Sequence, residues 1–233
     1  MGPHQTRTRT VIVTDLPSPN CDDRAGGEID VLVLHYTGMQ TAQAAIERLR
    51  DPVAKVSSHY VVDEDGEVLR LVPEHLRAYH AGLSYWRGRR ALNDTSIGIE
   101  IVNPGQEWGY RPFPPAQMHA VRALCHDILS RQAISARNVV GHSDVAPNRK
   151  QDPGELFDWR WLAAGGVGVW PGPDGAPATD PVAALAAIGY DPELDLSILL
   201  RAFQRHWCGT TVNGEASVAT LARLDAVARA TSA

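Results

Sequence analysis

The stretch 141–154 reads Gly-His-Ser-Asp-Val-Ala-Pro-Asn-Arg-Lys-Gln-Asp-Pro-Gly. It places an imidazole (His142), an ammonium (Lys150) and a carboxylate (Asp152) on one short loop. In extended chain, side chains two apart share a face. Lys150 and Asp152 are therefore both expected to look into the pocket that His142 faces. A histidine and a carboxylate are good zinc ligands, and a catalytic zinc takes three protein ligands and keeps a position for water. The third ligand must come from elsewhere, and His35 is the best candidate. It ends the apolar run Val31-Leu32-Val33-Leu34, which reads as a buried strand broken by Tyr36-Thr37-Gly38. A hydrogen-bonded histidine at a sheet rim is the competing reading of His35, and the 141–154 loop favours the ligand.

The elements that must position these residues follow from patterning. Strands are expected at 31–35, 96–102 and 138–140, the last delivering His142. Segments 59–62 and 67–72 read as a hairpin across Asp63-Glu64-Asp65-Gly66. A helix with a Thr41 cap covers 41–50. A longer one over 115–132 starts on a proline and carries Met118, Val121, Leu124, Cys125 and Ile128 on one face, and a last one covers 159–164. Helices alternate with strands, but one strand pair is a hairpin, so an α/β fold with a mixed sheet is expected.

Composition excludes several classes. A formal charge of −5 over 233 residues argues against nucleic acid as a main partner, and no apolar run is long enough for a membrane span. Val11-Ile12-Val13 is flanked by polar residues and proline, so no signal-peptide core is expected in the first thirty residues. Three cysteines at no metal or redox spacing read as reduced thiols. A cytoplasmic protein is expected, with the periplasm as the alternative. No obligate protein partner is implied.

Further motifs lie between the two ends of the candidate site. They are Ser57-Ser58-His59-Tyr60-Val61-Val62, Tyr79-His80-Ala81-Gly82, and Asn93-Asp94-Thr95-Ser96-Ile97-Gly98-Ile99-Glu100. With His35-Tyr36-Thr37, the His142 segment and Lys150-Gln151-Asp152-Pro153-Gly154, these motifs resemble, in order, the zinc-dependent N-acetylmuramoyl-L-alanine amidases of the AmpD-like, type-2 family. The likeness runs from about 35 to 171. It implies a central mixed sheet flanked by helices, with one Zn2+ in a groove at a sheet edge held by His35, His142 and Asp152. It also implies hydrolysis of the amide between the muramoyl (or anhydro-muramoyl) lactyl group and L-alanine of muropeptides, in cell-wall recycling. Intact peptidoglycan is the alternative substrate, and a non-catalytic recognition module is the alternative from another class. Glu100 is implied as the general base, and Lys150 as the cation that neutralises the oxyanion. Phage-type relatives carry a tyrosine before the histidine of the 57–62 strand. Here that position is Ser58, which leaves the acid–base role to Glu100. His80, Asn93, Arg89 and Arg90 are expected as substrate contacts, the arginines because stem peptides carry carboxylates. A solvated charge run is the plain alternative for the arginines.

Breakers and small residues at 163–177 suggest a linker, dividing the chain into a catalytic domain, 1–175, and a small domain, 176–233. Helical spacing at 182–189, 196–207 and 217–230 makes the second a three-helix unit. It resembles the small peptidoglycan-binding domain through Phe203-Gln204-Arg205-His206-Trp207 and Val212-Asn213-Gly214. Glycan binding is expected of it, and a purely structural cap is the alternative.

Overall fold

The computed structural model describes residues 11–172, 175–209 and 211–232. The start of the first expected domain, and Pro173 and Asp174 of the expected linker, lie outside them. The chain opens with strands β1 (Val13–Asp15), β2 (Cys21–Asp23) and β3 (Val31–Tyr36), then helix α1 (Ala42–Arg50). Next come β4 (Tyr60–Val62), β5 (Val68–Arg70), β6 (Leu76–Ala78), the two-residue strands β7 (Tyr85–Trp86) and β8 (Arg89–Arg90), and β9 (Ser96–Ile101). The short α2 (Gly105–Trp108) and the long α3 (Pro115–Arg131) precede β10 (Val139–Gly141), α4 (His142–Val145) and α5 (Trp159–Ala164). Helices α6 (Pro181–Ile188), α7 (Leu196–Trp207) and α8 (Val218–Thr231) end the chain.

Six strands form the main sheet in the order β1-β5-β4-β9-β3-β10. β4 and β5 are antiparallel and every other pairing is parallel, so the sheet is mixed. β1 was not expected from sequence: Val11-Ile12-Val13 is too short a run to stand out, and β1 exists by pairing with β5 at the edge. The stretch after Gly141 is not a plain loop, because His142 to Val145 wind into one helical turn.

Alternation along the strands decides what each face carries. Leu32 and Leu34 of β3, Tyr60 and Val62 of β4, and Ile97, Ile99 and Ile101 of β9 pack under α3 in one core. On the opposite face, Val31, Val33 and Val140 are covered by the C-terminal helices through Leu185, Leu199 and Phe203. Val61, Leu69 and Leu71 on that face are covered by α1 through Leu49 and Ile46. Between the two covers, β9 presents Ser96, Gly98 and Glu100 as a polar strip. It becomes the floor of the site.

Local caps explain where the covering helices begin. Thr41 accepts a hydrogen bond from the Ala44 amide, Asp180 from Ala183 and Ser217 from Thr220. Pro115 and Pro181 occupy first-turn positions, where no amide hydrogen is needed. Gly189 ends α6 at φ +142°, against Trp86 and Arg87, which only glycine accommodates. After 173–174 the chain is tied to α8: the Gly175 and Ala178 amides donate to Ala222 and Leu221.

Candidate metal centre

Three parallel neighbours, β9, β3 and β10, end together at one side of the sheet, and the chemistry sits at their carboxyl ends. This is the usual place for a site on parallel strands. Register sets His35 beside Glu100, and Gly141, which precedes His142, beside Leu34. The turn after α4 brings Asp152 back against both histidines, and the Ser143 amide donates to the Asp152 carbonyl at 2.8 Å. All three candidate ligands are buried.

Nδ1 of His35 lies 2.9 Å from Nδ1 of His142, and Oδ2 of Asp152 lies 3.1 and 3.0 Å from the two. The outer hydrogen bonds fix the tautomers. Ser96 Oγ donates its single proton to the Leu92 carbonyl at 2.5 Å, so it accepts from His80 Nε2–H at 3.1 Å. His80 Nδ1 is then bare and accepts from His35 Nε2–H at 3.0 Å. His142 Nε2–H donates to the Ala81 carbonyl at 3.2 Å. Both Nδ1 atoms therefore carry lone pairs, aimed with a carboxylate oxygen at one point. Three lone pairs this close repel unless a cation sits among them. Zinc bonds of about 2.0–2.2 Å in a tetrahedron set donors about 3.3 Å apart, so the residues present fit the ion.

Small residues and amides support the three candidate ligands. A Cβ on Gly98 would strike the His80 ring, so glycine there lets the imidazole lie flat on β9. Asn93 Oδ1 accepts from the His80 and Ala81 amides at 3.2 and 2.7 Å. This holds the backbone that carries the acceptor for His142. A Cβ on Gly141 would meet Pro153 at 2.8 Å, which locks the two ligand segments together.

A groove of about 360 Å³ opens over the triad, with Glu100, Lys150, Arg149 and Tyr36 in its walls. Oε2 of Glu100 is buried without a hydrogen-bond partner. Burial pushes its carboxyl well above the usual value; Asp152 adds to the rise and Lys150 opposes it. Burial also pushes the His35 imidazole down to about 4, with His142 adding to the fall.

A family profile described as N-acetylmuramoyl-L-alanine amidase matches residues 25–155, more than half of the chain. The chain belongs to that family. The amidase is 40% identical over 229 residues to N-acetylmuramoyl-L-alanine amidase AmiD of Escherichia coli, covering 85% of this chain and 82% of AmiD. It is 33% identical over 162 residues to the 1,6-anhydro-N-acetylmuramyl-L-alanine amidase AmpD of the same organism, covering 62% of this chain and 86% of AmpD. The solved complex of Escherichia coli AmiD with anhydro-N-acetylmuramic acid-L-Ala-D-γ-Glu-L-Lys superposes with a TM-score of 0.77 at 39% identity, over 88% of this chain and 90% of that one. AmpDh3 of Pseudomonas aeruginosa gives 0.78 at 33% identity, over 88% and 92%. The likenesses to AmiD and AmpDh3 reach past the family segment into the C-terminal helices.

The expected substrate contacts of the amidase are placed differently from the metal ligands. His80 borders the groove, but both its ring nitrogens are engaged, to His35 and Ser96. Asn93, Arg89 and Arg90 are not among the groove residues. Arg89 pairs with Asp30 at 2.8 Å, and Arg90 with Asp191 and Glu193 at 3.2 and 3.0 Å. The short β7–β8 hairpin turns the arginines away from the groove, toward the head of β3 and the end of α6. Arg149, not singled out from sequence, borders the groove instead and donates to the Ala81 and Leu83 carbonyls.

Protonation of the stripped protein follows from these environments. A histidine lowered to about 4 from its ordinary 6.5 binds fewer protons folded than unfolded between those values. Its contribution to stability is complete above 6.5 and is lost as pH falls toward 4. Glu100 is raised, so it acts oppositely and weakens the fold as pH rises above its ordinary value of 4.5. The metal-free protein should gain stability from pH 4 to 6.5, by at most about 1.4 kcal/mol per pH unit for each such group. The gain should be steeper in Glu100→Gln. Thermal unfolding across that range checks this, and equal slopes in the two proteins would refute it.

Proposed function

We propose that the amidase is a zinc enzyme that cleaves the bond between the lactyl carbonyl of N-acetylmuramic acid, or its anhydro form, and L-alanine in soluble muropeptides, as a step in wall recycling. The observation that carries the reading is the convergence of two histidine lone pairs and a carboxylate, His35, His142 and Asp152, beside an unpartnered Glu100 oxygen. A zinc ion held by that triad supplies Lewis acidity to the amide carbonyl and acidifies the attacking water. Glu100 takes the water's proton and returns it to the alanine nitrogen as the C–N bond breaks. Lys150 offsets the negative charge that grows on the carbonyl oxygen. The substrates in the printed names of AmpD and of the AmiD complex support an anhydro-muropeptide. A recognition module could dispense with Glu100 and Lys150; this chain keeps both with the triad. Mass spectrometry of products from anhydro-muropeptides and from intact sacculi tests the reaction. Release of free stem peptide with an L-alanine amino terminus is expected, and no release from either substrate would reject it.

For the tail we infer a structural cap, supported by the core that α6, α7 and α8 share with β3 and β10. Removing 175–233 uncovers Val31, Val33 and Val140, each worth about 1.5–3 kcal/mol when buried. Against a total of about 5–15 kcal/mol, the shortened chain should lose most of its stability and act poorly on every substrate. A tethered glycan-binding module would leave muropeptide cleavage intact and lose only sacculus cleavage. Unfolding temperature and both assays on the shortened chain separate the two.

A cytoplasmic location is the reading we favour. Fully buried Cys125 and the half-buried Cys21 are free thiols, which supports a reducing compartment. Among the described residues no helix is long and apolar enough to cross a membrane. A reporter active only outside the cytoplasm, fused to the chain, should stay silent, and a signal would move the enzyme to the periplasm.

A further inference from the structure

Asp144 lies two residues past His142 on α4 and is 1% exposed. Its carboxylate accepts three hydrogen bonds from three parts of the chain. Oδ2 takes the Gly141 amide at 2.7 Å and His206 Nδ1–H at 2.7 Å, and Oδ1 takes the Tyr190 hydroxyl at 2.6 Å. Only the first donor is local. Tyr190, fully buried, follows α6, and His206 lies on α7. The His206 ring is held between Trp159 and Trp207, with centroids 3.8 and 3.9 Å away. Tyr190 stands edge-on to Trp86 at 5.4 Å. Both donors are thus fixed in direction before they meet the carboxylate.

The other side of this clamp is the metal triad. Gly141 and Asp144 bracket His142, so tying one to the other fixes the turn from which the His142 imidazole projects. The Ser143 amide in the same turn donates to the Asp152 carbonyl. One carboxylate therefore sets the backbone that presents two of the three ligands. A buried carboxylate needs all its donors. With Tyr190 removed, Oδ1 loses its partner and Asp144 must turn to find another, taking the 141–145 turn with it. Outer groups that orient metal ligands typically govern metal affinity by about 10- to 100-fold.

We propose that Tyr190 and His206, from the C-terminal helices, are positioning residues for the metal-binding triad, acting through the buried Asp144 carboxylate. This rests on the zinc reading of His35, His142 and Asp152, and it makes the tail part of the metal centre as well as a cover for the sheet. Coupling is reciprocal, so zinc in turn should tighten the α6–α7 region.

The test uses the full chain, stripped of metal and titrated with zinc against a competing chelator. Tyr190→Phe and His206→Phe keep the rings and remove only the donors. Each should weaken zinc binding about tenfold and change the visible spectrum of the cobalt(II)-substituted protein. Val227→Ala, a cavity in the tail core, serves as the control: it should lower the unfolding temperature and leave the zinc constant within twofold. In an Asp144→Asn background, Tyr190→Phe should change the constant by less than twofold, because the link is already cut. Zinc constants within twofold of the parent for both Phe variants, or no larger loss than in Val227→Ala, would overturn the coupling while leaving the zinc reading intact. A parent chain that binds no zinc would overturn both. Tyr190→Phe, which deletes a single oxygen, keeps the test decisive if His206→Phe does not fold.

Discussion

His142→Ala, His35→Ala or Asp152→Ala leaves a folded protein that no longer retains zinc at stoichiometry and has lost essentially all amidase activity. The reason is geometric. Each residue supplies one of three donor atoms that lie about 3 Å apart and converge on one point. With two donors left, the ion cannot be held in the closed three-ligand arrangement of a catalytic site. A metal Lewis acid is worth several kcal/mol of barrier, which at 1.36 kcal/mol per decade is a loss of about 10³-fold or more. Metal content by atomic absorption and turnover on an anhydro-muropeptide check the two halves. Among the three, Asp152→Ala should also remove the group that opposes the fall of the His35 imidazole. Full activity in any of the three after exhaustive chelation would reject the metal centre.

Glu100→Gln should bind zinc as the parent does and lose about 10²–10⁴-fold in turnover, the usual effect of removing a general base. The substitution keeps shape and volume, and Glu100 sits beside His35 on the neighbouring strand without a hydrogen bond to any ligand, so the triad is left in place. What is lost is the basic oxygen. An amide in its place cannot accept the water's proton and return it to the leaving nitrogen. Kinetics with zinc saturation verified in the same sample check this, and near-parental turnover would assign the base elsewhere. Lys150 acts on the other side of the reacting bond, so Lys150→Ala should lower turnover more than it weakens substrate binding. The ratio of the two constants is its readout.

Much of the site was legible because its signals are local. The Gly141–Gly154 stretch holds two candidate ligands and the candidate cation within a few residues, and His35 and Glu100 each lie next to last in their strands. A further signal was present in β9: Ser96, Gly98 and Glu100 alternate with Ile97, Ile99 and Ile101. That pattern says one face of the strand is core and the other is reserved for polar chemistry, and it could have marked Ser96 and Gly98 as site residues. The placement of the arginine run at 87–90 was not legible, for a complementary reason. Local charge density does not show which way a hairpin turns, and this hairpin carries Arg89 and Arg90 to Asp30, Asp191 and Glu193. Asn93 carries an amide that suits a substrate, but the neighbouring His80 and Ala81 amides claim it first.

The amino-acid sequence by itself determined the family, the mixed α/β architecture, the three candidate ligands and the positions of most helices. Each is written in spacing and alternation over a few residues, which local chain geometry converts directly into a face or a turn. Tertiary structure alone decided how the ligands are held and what covers them. The proton order along Ser96, His80 and His35 depends on β9 lying beside β3 and on the 79–82 segment crossing above them. The Asp144 clamp depends on α6 and α7 returning over β10 from 46 and 62 residues away along the chain. Contacts of that range are set by strand order and by which sheet face each helix must cover, and those are settled only when the whole core is buried at once.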